Sequence, residues 1–167
     1  MTTIVDGTTG ITFPSTISGV SPTQQYSSRV LQVTTGTLST QTTISSTSLV
    51  DIGLSASITP VSSSSKILIQ VCVPWNTDRG SVIRLMGGLS VLRNSTAIWS
   101  HGNGLLGTEF GNTTSVSFRW VLNTMVYDSP ATTSPTTYKV QASTELYPFT
   151  LCVTNTLATI TLMEIAG

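Results

Sequence analysis

Charge is what this sequence has least of. Only 8% of its 167 residues are charged, against roughly 25% in an ordinary domain. Seven basic residues (Arg29, Lys66, Arg79, Arg84, Arg93, Arg119 and Lys139) are scattered along the chain, and seven acidic ones bring the formal net charge to zero. Recognition of a phosphate backbone needs clustered Lys and Arg, so there is no nucleic-acid footprint. Histidine is nearly absent, with His101 alone, and there are two cysteines, Cys72 and Cys152. An ordinary metal centre needs several His, Cys or carboxylate ligands, so neither metal nor cofactor is expected. Two cysteines do not make a disulfide framework. Both alternate with apolar neighbours, which reads as buried free thiols in a protein made in a reducing cytoplasm. A Cys72–Cys152 bridge between neighbouring strands is the alternative. No apolar run is long enough for a transmembrane helix. Residues 1–20 carry neither the basic start nor the apolar stretch of a secretory leader.

Serine and threonine fill the gap, at about a third of the chain. Hydrophobic residues make up 39%, too many for a disordered stalk. A weakly charged monomer near its isoelectric point is colloidally precarious. Hiding surface in a permanent assembly removes that problem, since obligate interfaces resemble a domain core cut in half. The composition therefore points to an oligomer.

Residues 1–28 contain only short apolar pairs, punctuated by Gly7, Gly10, Pro14, Gly19 and Pro22. That pattern predicts an extended N-terminal arm with one or two short strands. Ile4, Val5, Ile11, Phe13 and Ile17 are its candidate contacts with neighbouring subunits. Residues 29–167 predict a β-domain. Strands are expected at 29–35, 37–45, 48–59 (paired, or bent at Gly53), 66–73, 81–86, 88–93, 97–101, 115–123, 138–142, 147–154 and 157–165. Thr is β-branched and favours a pleated surface. The run 66–73 (KILIQVCV) is apolar on both faces, as a central strand should be, and Pro74 is expected to stop it. Gly87–Gly88 reads as a hairpin or bulge. Residues 101–114 carry four glycines and predict a long loop. A phase change at Leu162–Met163 predicts a bulge. No useful window has a 3.6-residue period. Short strands at roughly 8–12-residue spacing predict an all-β fold, an antiparallel β-sandwich with jelly-roll-like character.

Catalytic patterns are missing as well. No G-x-S-x-G elbow occurs, and a Ser-His-Asp triad would have to use His101. Glycoside hydrolysis needs paired carboxylates, but Asp78, Glu109, Asp128 and Glu145 fall in separate segments. The aromatics Trp75, Trp99, Phe110, Tyr127 and Tyr147 fall near expected strand ends. Such residues are enriched at core edges and subunit contacts, and stacking on a sugar is the alternative.

The opening VDGTTGITFP resembles short pieces of tail-fibre polypeptides. The stretch from Arg29 to Val71 (RVLQVTTGTLST…KILIQV) resembles the start of a β-rich domain that recurs in bacteriophage virion proteins. VYDSPATTSPTTYKVQ and ATITLMEIAG resemble its end. The segment from about Trp75 to Thr114 matches less well. This resemblance implies a non-enzymatic virion structural protein, made in the bacterial cytoplasm and placed on the particle exterior. It also implies a homotrimer, without membrane insertion, touching other virion proteins of the tail, baseplate or major capsid. The leading expectation is a tail-fibre component. Its exposed loops, with candidate residues Trp75, Asn76, Asp78, Arg79, His101, Asn103, Glu109 and Phe110, would meet a host-surface receptor or glycan. A capsid decoration (cement) protein is the second expectation, and a polysaccharide depolymerase the third.

Overall fold

A computed structural model describes residues 4–6, 10–12, 29–79, 84–85, 87–102, 108–109, 116–145, 147–152 and 155–167. All paired strands among them are antiparallel. The strands are β1 (Ile4–Asp6), β2 (Gly10–Thr12), β3 (Val30–Leu38), β4 (Thr42–Ile44), β5 (Val50–Ile58), β6 (Lys66–Arg79) and β7 (Arg84–Leu85). They continue with β8 (Gly87–Arg93), β9 (Thr96–His101), β10 (Thr108–Glu109), β11 (Val116–Asp128), β12 (Thr136–Thr144), β13 (Phe149–Leu151) and β14 (Ala158–Ile165). One sheet has the order β3-β14-β6-β13-β4, with β11 also paired to β6. The second has the order β5-β12-β8-β9. The fold is an all-β antiparallel sandwich, as the strand spacing predicts.

The sandwich closes because each strand alternates. β14 reads buried, half-buried, buried along its whole length, and β5 shows the same period of two, the signature of one face in a core. Ile67, Ile69, Val71, Val73, Ile160 and Leu162 of the first sheet meet Ile52, Leu54, Tyr138, Val140, Leu89 and Val91 of the second. Fully burying each such aliphatic side chain stabilises the fold by roughly 1.5–3 kcal/mol relative to leaving it in water.

Pro74 does not end the strand at residue 73. β6 runs on to Arg79, and the sheet around it explains why. β14 pairs with β6 only as far as Cys72, and β13 takes over from Trp75. The Pro74 carbonyl accepts a hydrogen bond from Cys152 N at 3.1 Å. In a strand a residue's N–H and C=O point to the same side. The missing N–H of Pro74 therefore faces the break between β14 and β13, where no ladder bond is lost.

Three further expectations change. Gly87–Gly88 is no hairpin turn: β8 starts there, β7 pairs with β10, and the turn lies at Asn94–Ser95 between β8 and β9. The 101–114 segment is not all loop, since it contains β10. No bulge falls at Leu162–Met163: β14 keeps its register with β6 through Ile165, and the shift against β3 opposite Glu164–Ile165 leaves Leu31 of β3 as the extra residue. Phase is kept through Met163 because Glu164 points inward, fully buried. Gly53 sits at φ +85 within an unbroken β5, near the register shift between Lys139 and Gln141 of β12. Only glycine adopts that backbone at little cost. β1 and β2 pair with each other. Phe13 and Ile17 of the arm, and Asn103 and Phe110, lie outside the described residues.

Candidate functional site

Two corners of the sandwich are built from the same strand chemistry yet end differently. At the first, β5 lies against β3. A Cβ on Gly36 would sit 1.8 Å from the Ser55 carbonyl oxygen, so the backbones touch and only glycine fits. Beside it Glu164 is held on both carboxylate oxygens. Gln32 Nε2 donates to Oε2 at 2.6 Å and the Val61 amide to Oε1 at 2.8 Å. Gln32 Nε2 also donates to the Thr59 carbonyl at 2.7 Å. Burial pushes the Glu164 carboxyl up. The neighbouring donors, with Gln32 Nε2 and the Val61 amide at hydrogen-bond distance, outweigh it and leave the group below its ordinary value.

The second corner is β11. Its thirteen residues pair in unbroken register with β6, and among the described residues no strand pairs with its other edge. Val121 (54%), Met125 (59%) and Tyr127 (62%) are exposed on its outer face, and Trp120 (58%) on the other, where Val126 is buried. The C-terminal end is anchored. Arg93 Nη1 donates to both Asp128 oxygens at 3.0 Å, and Tyr138 Oη donates to Oδ2 at 2.7 Å. Burial, then the bond to Asp128, pushes the Tyr138 phenol well up. Toward the other end, Trp75, Asn76, Arg119, Trp120 and Thr156 line a cleft of about 460 Å³. A cleft this size is within the range that holds a small ligand.

The expected exposed loop around residues 75–80 is corrected here. Trp75 and Asn76 lie inside β6 and are buried, Trp75 at 5% exposure. Trp75 packs edge-on against Phe149, ring centroids 5.9 Å apart, and its indole N–H is buried without an acceptor. Asp78 and Arg79 fall on the same strand, Glu109 on β10. His101 is exposed at the end of β9, 6.4 Å from the Trp99 ring. The structure therefore splits the sequence-derived loop set: Trp75 and Asn76 line the cleft, and His101 sits on the other sheet. Sequence reasoning did not single out Val121 or Met125 and read Tyr127 only as a strand-end aromatic. The signal for them was the absence of any charge from Trp120 to Tyr127.

Cys72 and Cys152 are both free, Cys72 half-buried and Cys152 buried. Cys152 Sγ lies 3.1 Å from the Leu38 carbonyl, and burial pushes its thiol up. Among the described residues no three His, Cys, Asp or Glu side chains gather as a metal site, and no helix is long and apolar enough to cross a membrane.

No protein-family profile and no curated protein matches the chain. Among solved structures, the VP2 protein of infectious bursal disease virus in derived particles aligns over 80% of this chain and 40% of its own, with 16% identity and a TM-score of 0.39. The structure of the Gx strain of that virus aligns over 93% and 50%, with 15% identity and a TM-score of 0.40. A VP2 subviral particle gives 81% and 42%, 14% identity and 0.38. The chain thus spans half or less of each of these proteins. At these scores the likeness carries no function across.

Proposed function

We propose that this chain is a non-enzymatic virion structural protein, a homotrimeric tail-fibre component that works by binding. The observation that carries the reading is the outer face of the β3-β14-β6-β11 sheet. Between Lys66 and Arg119 its outward residues are Val33, Thr35, Thr37, Thr159, Thr161, Met163, Leu68, Gln70, Cys72, Val121, Asn123, Met125 and Tyr127. None is charged. A sheet face without charge is a poor surface to leave in water and a good one to place against other subunits. The resemblance of the flanking segments to phage tail-fibre domains points the same way. Carboxylates serve structure: Glu164, Asp128 and Asp51 are each engaged by neighbouring donors. In this reading the 101–114 segment meets a host-surface receptor or glycan, multiplied threefold by symmetry.

A capsid decoration protein is the second reading. It is favoured by the β1–β2 hairpin, which among the described residues pairs only with itself. An arm of that kind is free to lie along neighbouring capsid subunits. Counting copies per particle by quantitative mass spectrometry separates the two. Tens or fewer support the fibre; hundreds support the shell. Absence from purified particles would contradict both.

A further inference from the structure

We infer that the outer edge of β11, which no described strand pairs with, is the seam on which a second copy of this chain docks, an inference that rests on the self-assembling reading above. Sheet edges expose unpaired peptide groups, and natural proteins protect them with bulges, charge, proline or shortness. The other edges of this sandwich follow that rule. β3, β5 and β9 each carry a register shift against their neighbour, and β4 is three residues long. β11 has no bulge and no proline and is not short, and its charges, Arg119 and Asp128, lie outside the stretch from Trp120 to Tyr127. It runs thirteen residues without a shift, and from Trp120 to Tyr127 it holds no charge and no proline.

The direction of its free groups follows from Pro74. The Pro74 carbonyl points to Cys152, so even-numbered residues of β6 turn their peptides toward β13 and β14. Odd-numbered ones turn theirs toward β11. In the observed register Val73 faces Leu122 and Val71 faces Thr124. The even residues of β11 therefore bond to β6. The peptides of Val121, Asn123, Met125 and Tyr127 point away, along the open edge. The side chains of these same residues are exposed on the outer face.

The occupant is a second copy for two reasons. The patch is neutral and the chain has no formal net charge, so another copy meets it without repulsion, and it offers a charged partner no complementary group. Its size points the same way. Val121, Met125 and Tyr127 expose on the order of 400 Å² of side chain on the outer face, with Trp120 adding to it from the other, a large part of the roughly 800 Å² per partner in a stable interface. In a threefold ring the contact is heterologous, β11 of one copy against a different edge of the next.

The test is sedimentation of the full chain with Met125→Lys, and with Val61→Lys, an exposed residue of the loop between β5 and β6, as the control. Wild type and Val61→Lys should sediment as the assembly, and Met125→Lys as a folded single copy with an unchanged β-type circular dichroism spectrum. Assembly of Met125→Lys as in wild type overturns the inference and leaves the self-assembling reading standing. A single-copy wild type overturns both. A dimer lost on Met125→Lys keeps the seam and removes the trimer. If Met125→Lys does not fold, hydrogen exchange on wild type decides. Slow exchange at the amides of Val121, Asn123, Met125 and Tyr127 supports the seam, and exchange at the rate of open chain overturns it.

Discussion

Along β3 and β5 the two sheets come into backbone contact, with Gly36 against Ser55 and Glu164 saturated by donors. Along β11 no described strand pairs with the outer edge, which carries no charge from Trp120 to Tyr127. Both corners belong to one small sandwich, and both arise from the same alternating, Thr-rich strands. The first corner is finished within the chain: every device there is specific to one neighbour and tolerates little change. The second is finished, in our reading, by another copy. The difference teaches that stability and assembly are written in different residues, so substitutions should separate them.

The comparison breaks most readily at Gly36. Gly36→Ala places a methyl inside the Ser55 carbonyl and should lower unfolding free energy by about 3 kcal/mol, measured by urea denaturation. A cost below about 0.5 kcal/mol would mean that β3 and β5 are not clamped together. Next comes Glu164→Gln, which replaces an acceptor pair with one acceptor and one donor facing the Gln32 and Val61 N–H groups. A loss of about 2 kcal/mol is expected, with assembly unchanged.

The same residue sharpens the comparison through pH. The folded Glu164 carboxyl lies below its ordinary value of 4.5. Its contribution to stability is therefore complete above that value and is lost as pH falls through the lowered folded one. The urea midpoint of wild type should drop between about pH 5 and about pH 3, and drop less in Glu164→Gln. Equal slopes would show that the carboxylate is not held as described. Tyr138→Phe removes one bond from a doubly anchored Asp128 and should cost about 1 kcal/mol in the same assay. Lys139→Ala breaks an ion pair 2.7 Å long but solvent-exposed. It should cost less than about 0.5 kcal/mol.

The fold was legible because it depends on alternation, and alternation is local. The spacing of Ile67, Ile69, Val71 and Val73 names a buried strand without any knowledge of its neighbours. What was not legible depended on neighbours. Pro74 looks like a stop until the gap between β14 and β13 takes up its missing donor. Glu164 looks like a surface residue until Gln32 and Val61, far away in sequence, are seen to hold it. That misreading put a bulge at Leu162–Met163 of β14, where the strand is regular; the extra residue is Leu31 of β3. Trp75 and Asn76 were placed in an exposed loop for the same reason: a strand continued where the sequence shows proline. The open edge was half legible. Low charge predicts an oligomer, but composition has no address. Among the described residues, the pairing of β11 with β6 alone is what gives our proposal a place.

The central claim is that this weakly charged sandwich completes itself with copies of itself. Sedimentation equilibrium of the wild-type chain at physiological salt tests it directly. Three chains per particle, unchanged when salt is raised, is the result the account predicts, because the shared surface is apolar. A soluble single chain across the micromolar range would contradict it.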